Sequence, residues 1–161
     1  LEAIDGETTV LIEGFIEGRM GLKVNRDKTS IKNLVKPRVA LDFLGFTLRY
    51  DKDLKGRPHR YLNLTPSKKS MTRARERIRK MTGPSQGFKP LPDLVDDLNK
   101  YLGGWSKYFN LGYPRKSFRQ INSFVRERLT RNLQRRSQRP FRPPQGVSYY
   151  EYYQQQKLVY L

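Results

Sequence analysis

The stretch PLPDLVDDLNKYLGGWSKYFN, residues 90–110, decides how the middle of this chain folds. Its apolar residues recur every three or four positions over about five turns, which is the period of an amphipathic α-helix. Trp105, the only tryptophan, and Tyr108 fall on this stripe, so we expect both to face a core rather than to stack on a nucleobase. The stripe is formed by Leu91, Leu94, Val95, Leu98, Tyr101, Leu102, Trp105, Tyr108 and Phe109.

A glycine pair, Gly103-Gly104, lies inside this predicted helix. Glycine in a helix interior is destabilising by about 0.5–1 kcal/mol relative to alanine. We therefore expect that the pair is present because a neighbouring element approaches the helix closely at this point.

Two further segments with helical spacing flank this stretch, at residues 67–83 and 116–136. The first ends at Gly83-Pro84, a pair that stops a helix. Three amphipathic helices in succession predict a small helical bundle over residues 66–136. The flanking stripes consist of Met71, Ala74, Ile78 and Met81 in the first segment and Phe118, Ile121, Val125, Leu129 and Leu133 in the second.

The first 65 residues have a different pattern. Residues 8–20 have helical spacing, and residues 21–25 alternate like a short strand. Residues 41–50 and 59–66 flank a loop that contains Gly and Pro, which predicts an antiparallel hairpin. The predicted fold class is α+β: an N-terminal helix and short antiparallel strands over residues 1–65, followed by the three-helix bundle.

Residues 137–161 form a third predicted segment, a tail. It begins with a basic, Pro-rich linker, RPFRPPQG, and continues as the aromatic VSYYEYYQQQKLVYL. We expect the aromatic part to form a short helix that docks on the rest of the chain.

The charge of the chain indicates its partner. Its 161 residues include 33 Lys and Arg against 15 Asp and Glu, for a net charge of +18, and only 36% are hydrophobic. Self-repulsion of this size favours a polyanionic partner, with nucleic acid as the first candidate. The absence of cysteine excludes disulfides and thiolate metal sites and is typical of a reducing compartment. No apolar run is long enough to predict a membrane span.

The Lys and Arg residues concentrate on the two outer helices of the predicted bundle. Residues 66–82 carry seven of them against one acid, and residues 115–142 carry ten against one acid. A solvated face normally mixes both signs, so this imbalance favours phosphate contact over simple solvation. The nucleic-acid-binding residues predicted on these helices are Lys68, Lys69, Arg73, Arg77, Lys80, Arg115, Lys116, Arg119, Arg126, Arg131 and Arg135.

No arrangement of residues in the sequence predicts catalysis. Asp93, Asp96 and Asp97 share a helix face, but acids in a first turn complement the helix dipole, and further ligands at suitable spacing are absent. His59, the only histidine, falls in the predicted hairpin without a partner for nucleophilic chemistry. We therefore predict no catalytic residue, no metal site and no cofactor in this chain.

Two smaller features leave alternatives open. Lys28, in a polar turn, either contacts a phosphate or is simply solvated. Gly45, inside the first predicted strand of the hairpin, either permits a close backbone approach or marks a strand bulge.

Three motifs, taken together and in order, resemble a known family. GRMGLKVNRDKTSI (18–31), LDFLGFTL (41–48) and LNKYLGGWSKYFNLG (98–112) are similar to the C-terminal half of bacterial group II intron-encoded reverse transcriptase/maturases. The first two resemble the last conserved blocks of the reverse-transcriptase palm. The third resembles the maturase-specific, or X, domain, which serves as the polymerase thumb.

The resemblance implies a role for each part of the chain. The palm end would be residues 1–65, where Lys28 would contact nucleotide or template–primer phosphates. The thumb, residues 66–136, would bind intron RNA during splicing and hold the RNA–DNA template–primer duplex during synthesis. The location would be cytoplasmic, in a nucleoid or ribonucleoprotein particle. The primer grip would be formed by Phe43, Leu44, Gly45 and Phe46.

In this family, polymerase chemistry uses Mg²⁺ held by a carboxylate of an early palm block and by a Tyr-Ala-Asp-Asp loop. The sequence contains neither, so we expect a C-terminal fragment that binds nucleic acid and is inactive as a polymerase alone, from a parent that uses Mg²⁺. The alternatives are a non-catalytic basic scaffold protein of a ribonucleoprotein particle and a nuclease that uses the acids at 93–97.

Overall fold

The computed structural model describes residues 6–29, 32–36, 38–52, 57, 59–139 and 141–161. In this part of the chain an N-terminal helix precedes a three-stranded sheet, which a group of helices follows, so the predicted α+β class is confirmed. The elements are α1 (Gly6–Gly14), a π-helical turn (Phe15–Arg19), β1 (Leu41–Phe43), β2 (Phe46–Lys52), β3 (Arg60–Pro66), α2 (Lys68–Met81), a 3₁₀ turn (Pro84–Gln86), α3 (Leu91–Phe109), α4 (Arg115–Arg135) and α5 (Tyr149–Gln155).

The core is the seam between α2, α3 and α4. At its centre Ile78, Leu98, Ile121 and Leu129 are completely buried. Each belongs to an apolar stripe that the sequence predicts, and the three predicted helices are confirmed. Burial of each such side chain contributes about 1.5–3 kcal/mol, which makes this seam the main source of stability.

The start of α2 is tied to the sheet by hydrogen bonds. Ser67 Oγ accepts a hydrogen bond from the backbone N–H of Ser70 at 3.2 Å, which caps the helix. The backbone N–H of Ser67 and the hydroxyl of Ser70 both donate to the carbonyl oxygen of Gly45 at 2.8 Å. The turn that contains Gly45 is therefore held against the first turn of α2.

The three strands form one antiparallel sheet in the order β1-β2-β3. The pairing of β2 with β3 extends from Phe46 opposite Pro66 to Lys52 opposite Arg60, which confirms the predicted hairpin. Most of its predicted loop, residues 51–58, lies outside the described residues.

The prediction of one continuous strand over residues 41–50 is wrong. Leu44 and Gly45 have φ angles of 47° and 83° and reverse the chain between β1 and β2. Positive φ at both central positions is typical of the two-residue turns that join antiparallel strands. Gly45 also permits a close approach, because a Cβ atom there would lie 3.0 Å from Ser70 Oγ. Of the two alternatives for Gly45, the close approach is supported, in a turn rather than in a strand.

Two expectations about α3 are wrong. Cβ atoms on Gly103-Gly104 would meet nothing within 4 Å, so no described element packs against the pair. Tyr108 is 54% exposed and therefore lies outside the core. The prediction that Trp105 faces the core is confirmed: it is partly buried against the bundle, with its ring centroid 4.9 Å from that of Phe109 and 5.6 Å from that of Phe118.

The N-terminal segment is helical as predicted, through α1 and the π-helical turn that follows it. Its apolar side chains are nevertheless largely exposed, with Leu11 at 72%. The strand predicted for residues 21–25 is wrong, because this stretch has no regular secondary structure.

The short docked helix predicted for the tail is α5. Ser148 and Glu151 cap it through reciprocal hydrogen bonds between side chain and backbone. Tyr153 is completely buried, and its hydroxyl lies 2.7 Å from Thr130 Oγ1 on α4. Asn99 of α3 forms hydrogen bonds of 2.8 and 2.9 Å with the backbone that follows α5. The tail therefore completes one side of the bundle core.

We expect Gly112→Ala to lower the free energy of unfolding by more than about 1 kcal/mol. Gly112 lies between α3 and α4 with a φ of 72°, and a Cβ atom there would lie 2.5 Å from the carbonyl oxygen of Leu64 in β3. The matched control, Gly104→Ala, adds the same methyl group to an open helical position and should raise stability by about 0.5–1 kcal/mol. Urea-induced unfolding measures both changes, and changes of the same sign would contradict the packing described for Gly112.

A pH dependence is expected from Tyr153. Burial raises the pKa of Tyr153 to about 12 from its ordinary value of 10.0. Between these two values only the unfolded chain releases the proton, so the stabilising contribution is complete below pH 10 and is lost as pH rises through about 12. The free energy of unfolding should fall over this interval in the wild type and fall less in Tyr153→Phe. Parallel curves for the two proteins would contradict the burial of this phenol.

Candidate nucleic-acid interface

The outer face of α2 is basic and exposed. Its apolar stripe is buried, and helical spacing places Lys69, Arg73 and Lys80 on the opposite side, where all three are exposed. Lys68 and Arg77 are also exposed on the flanks of the helix. The predicted orientation of this face is confirmed, and its contact with nucleic acid stays a prediction.

An arginine cluster joins the C-terminal part of α2 to that of α4. Its members are Arg79 of α2 and Arg128, Arg131 and Arg135 of α4. Burial lowers the pKa of Arg128, and the neighbouring charges of the other three arginines lower it further. A guanidinium remains protonated in spite of such shifts, so the cluster concentrates four positive charges.

One member of the cluster, Arg128, is held by a polar lock at the end of α2. Arg128 Nε donates to Thr82 Oγ1 at 3.3 Å, and Asn132 Nδ2 donates to the Thr82 carbonyl oxygen at 3.2 Å. Thr82 and Asn132 are both buried, so these bonds satisfy groups that water cannot reach. Arg136 Nε donates in turn to Asn132 Oδ1 at 2.9 Å. The lock therefore sets the position of Arg128 between the two helices.

Acidic side chains compensate little of this charge. The helices α2 and α4 carry two acids, Glu76 and Glu127. Among the described residues, the ion pair seen on these helices is that of Glu127 with Arg131, at 2.5 Å, between half-exposed side chains. Pairs of this kind contribute about 0.3–0.5 kcal/mol. The remaining charges on the two helices are available to an anionic partner.

Sequence reasoning omitted Arg79 and Arg128 from the predicted interface. Both lie on the flanks of apolar stripes rather than opposite them, and the guanidinium of Arg79 lies over the ring of Phe124 at 5.2 Å. A flanking position by itself does not exclude a residue from the predicted interface, since Arg77 also flanks its stripe and is included. Their convergence becomes visible only when α2 and α4 are packed together.

The predicted residues of α4 divide between two sides of the helix. Arg131 and Arg135 belong to the arginine cluster. Arg115 and Arg119 instead line a cavity of ≈ 690 Å³ next to the end of the tail. Arg126 lies 5.9 Å from the ring centroid of Tyr150 on α5, also on the tail side. Lys116 is exposed. The structure therefore does not gather all predicted residues into one patch.

The predicted contacts in the N-terminal part lie on two turns. The backbone N–H of Lys28 donates to Asn25 Oδ1 at 3.2 Å, which leaves the lysine side chain exposed. At the hairpin turn Phe43 is exposed and Leu44 is 69% exposed, whereas Phe46 is buried against α3. The exposed members of the predicted primer grip are therefore Phe43, at the end of β1, and Leu44, in the turn.

The acids at the start of α3 serve a structural purpose. Asp97 forms an ion pair with Lys89, whose hydrogen bond lowers the pKa of the Asp97 carboxyl. Asp93 and Asp96 are exposed in the first turns of the helix. In the part of the chain that the structure describes, no group of three His, Cys, Asp or Glu residues is arranged to hold a metal ion.

Comparison with models of protein families gives a match to part of the chain. Residues 71–146 match the family model described as the group II intron, maturase-specific domain. Among curated proteins no sequence match is found. The matched range contains most of α2 and all of α3 and α4, and therefore the arginine cluster. As for membranes, none of the described helices combines the length and the apolar character that crossing a bilayer requires.

Added NaCl should raise the melting temperature of the wild type, because it screens repulsion within the arginine cluster. Arg128→Met removes the central charge of the cluster and keeps an apolar side chain. The melting temperature of this variant should therefore rise less with added NaCl than that of the wild type. Arg142→Met removes an exposed arginine of the tail and should respond like the wild type. The change in melting temperature of the three proteins is measured by thermal unfolding at NaCl concentrations from low salt to about 0.3 M. Equal responses in all three proteins would contradict the interaction within the cluster.

Proposed function

We propose that residues 71–146, which match the family model of the group II intron maturase-specific domain, act in group II intron splicing and do so by binding intron RNA through α2 and α4. The observation that carries this proposal is the excess of positive charge on these helices, where one ion pair is seen among the described residues. RNA phosphates supply the missing negative charge.

The two basic areas suit different kinds of phosphate contact. The lysines of α2 are exposed point charges on flexible stems, which follow a phosphate backbone without fixed geometry. In the arginine cluster Arg128 is held by a hydrogen bond to Thr82, and guanidinium groups form bidentate hydrogen bonds with phosphate oxygens. Together they support binding to RNA that presents its backbone in a defined shape.

Such binding assists splicing by linkage. A protein that binds the folded intron better than the unfolded RNA shifts the equilibrium toward the folded form in proportion to its affinity and concentration. The chain supplies binding energy in this proposal, and the RNA supplies the reacting groups.

A wider role follows from the motifs that resemble reverse transcriptases. We propose that residues 1–65 correspond to the end of a palm and residues 66–136 to a thumb that holds an RNA–DNA template–primer duplex. The contacts between Gly45 and the first turn of α2 support this, since they join the hairpin turn directly to the bundle. In that setting Mg²⁺ would be held by carboxylates of other palm blocks.

We expect Lys69→Ala/Lys80→Ala to weaken binding to a structured group II intron RNA by about tenfold, because two phosphate contacts are removed. The matched control is Lys100→Ala/Lys107→Ala, which removes two exposed lysines from the outer face of α3. That face also carries Asp93 and Asp96, so its charge is nearly balanced. Fluorescence anisotropy of labelled RNA at one salt concentration measures both variants.

The control should lose less than about threefold in affinity. Circular dichroism establishes that all proteins are folded, which is expected because the four lysines are exposed. Equal losses in the two variants would show that only net charge matters and would contradict an interface on α2.

A further inference from the structure

A cavity lined by aromatic side chains lies between α2 and α3. It has a volume of ≈ 500 Å³, and Leu44 and Gly45 of the hairpin turn are among the residues that line it. Its α3 wall includes Tyr101, Trp105 and Tyr108, and its α2 wall includes Arg73. We propose that this aromatic cavity binds one unpaired nucleobase of the RNA, while Arg73 contacts the adjoining phosphate. This inference rests on the proposed function, RNA binding, and adds which part of the RNA the cavity recognises.

The wall on α3 is suited to stacking. Tyr101, Trp105 and Tyr108 are four and three positions apart, so they lie along one side of the helix. The ring of Trp105 is in tilted contact with those of Phe109 and Phe118, and Trp105 also borders the cavity. Nucleobases stack on such rings with little dependence on sequence, because every base has a π face.

The rings are held in position before any ligand binds. The Tyr108 hydroxyl donates to the carbonyl oxygen of Leu44 at 2.8 Å. The ring of Phe46 is stacked 5.5 Å from that of Tyr108 and lies 4.9 Å from that of Phe109. Binding therefore orders few additional side chains, which reduces its entropic penalty.

The charge around the cavity favours a nucleotide over an apolar peptide. Arg73 is exposed, and it has no hydrogen bond or ion pair with another described residue. Lys69 and Arg77 lie one turn before and one turn after it on α2. The described lining residues include no carboxylate. An aromatic wall next to an uncompensated cation matches the two parts of a nucleotide, the base and the phosphate.

The shape of the site implies selection against paired bases. A base inside a duplex is stacked on both faces and cannot enter a cavity between two helices. A bulged or single-stranded base is already unstacked and enters without that penalty. The aromatic cavity should therefore distinguish RNAs that carry the same number of phosphates.

The experiment uses the full chain and two RNA duplexes with a one-nucleotide bulge. In one the bulged nucleotide carries adenine, and in the other it is abasic, so both RNAs have the same phosphate charge. The adenine bulge should bind about tenfold more tightly. It should also quench the fluorescence of Trp105, which is the only tryptophan and reports on the site directly. The abasic RNA should bind without quenching.

A variant connects the preference to the cavity. Tyr101→Leu keeps apolar volume and removes a stacking ring, so the tenfold preference should fall to about twofold while the abasic RNA binds as before. Tyr113→Leu, an exposed tyrosine outside the cavity, is the matched control and should keep the full preference. Trp105→Phe, with anisotropy as the readout, tests the same wall if Tyr101→Leu does not fold.

The outcomes separate this inference from the proposed function. Equal, salt-sensitive binding of both RNAs without quenching would overturn the nucleobase site and leave RNA binding by the basic helices intact. Binding of neither RNA, nor of a structured intron RNA, would overturn both. Quenching and tighter binding with adenine, lost in Tyr101→Leu and kept in Tyr113→Leu, support the site.

Discussion

Burial of one apolar seam is the constraint on which the rest of this structure depends. Ile78, Leu98, Ile121 and Leu129 are completely buried where α2, α3 and α4 meet. Each contributes about 1.5–3 kcal/mol, several times more than any surface ion pair. Since the seam fixes which face of each helix points inward, the lysines and arginines between the apolar positions must point outward. The basic surface is a consequence of the core.

The core alone does not explain the arrangement of charges, because polar contacts align the parts around it. The Thr82–Arg128–Asn132 lock joins the end of α2 to α4 and holds Arg128 of the arginine cluster in place. The carbonyl of Gly45 receives two hydrogen bonds from the start of α2, which places the hairpin turn beside the aromatic cavity. A few buried or capped polar groups thus give some cationic and aromatic side chains on the surface of the bundle defined positions.

Periodicity in the sequence was sufficient to predict the helices, because each stripe repeats over several turns. It failed where the fold depends on single residues. Leu44 adopts a positive φ that leucine rarely takes, so the hairpin turn looked like part of a strand. Gly103-Gly104 suggested close packing, yet the pair faces open space. Such errors arise because the conformational propensity of a residue describes that residue in isolation, whereas its backbone conformation in the folded chain also depends on tertiary contacts.

The residues of the candidate interface were likewise predictable only in part. The exposed cations of α2 followed from helical phase, whereas Arg79 and Arg128 required knowledge of how two helices pack. Tyr108 shared the apolar stripe but reaches outward to the hairpin turn, which no local pattern encodes. Long-range contacts decide which residues on a helix flank become part of a site.

We propose that RNA is held by the uncompensated charge of the helices that match the maturase-specific domain model. The most direct test of this proposal is the affinity of the wild-type chain for a structured group II intron RNA over a range of salt concentrations. The account predicts that the logarithm of the association constant falls linearly with the logarithm of salt concentration, with a slope of about −4 or steeper, because several counterions are released. An affinity that does not change with salt would contradict it.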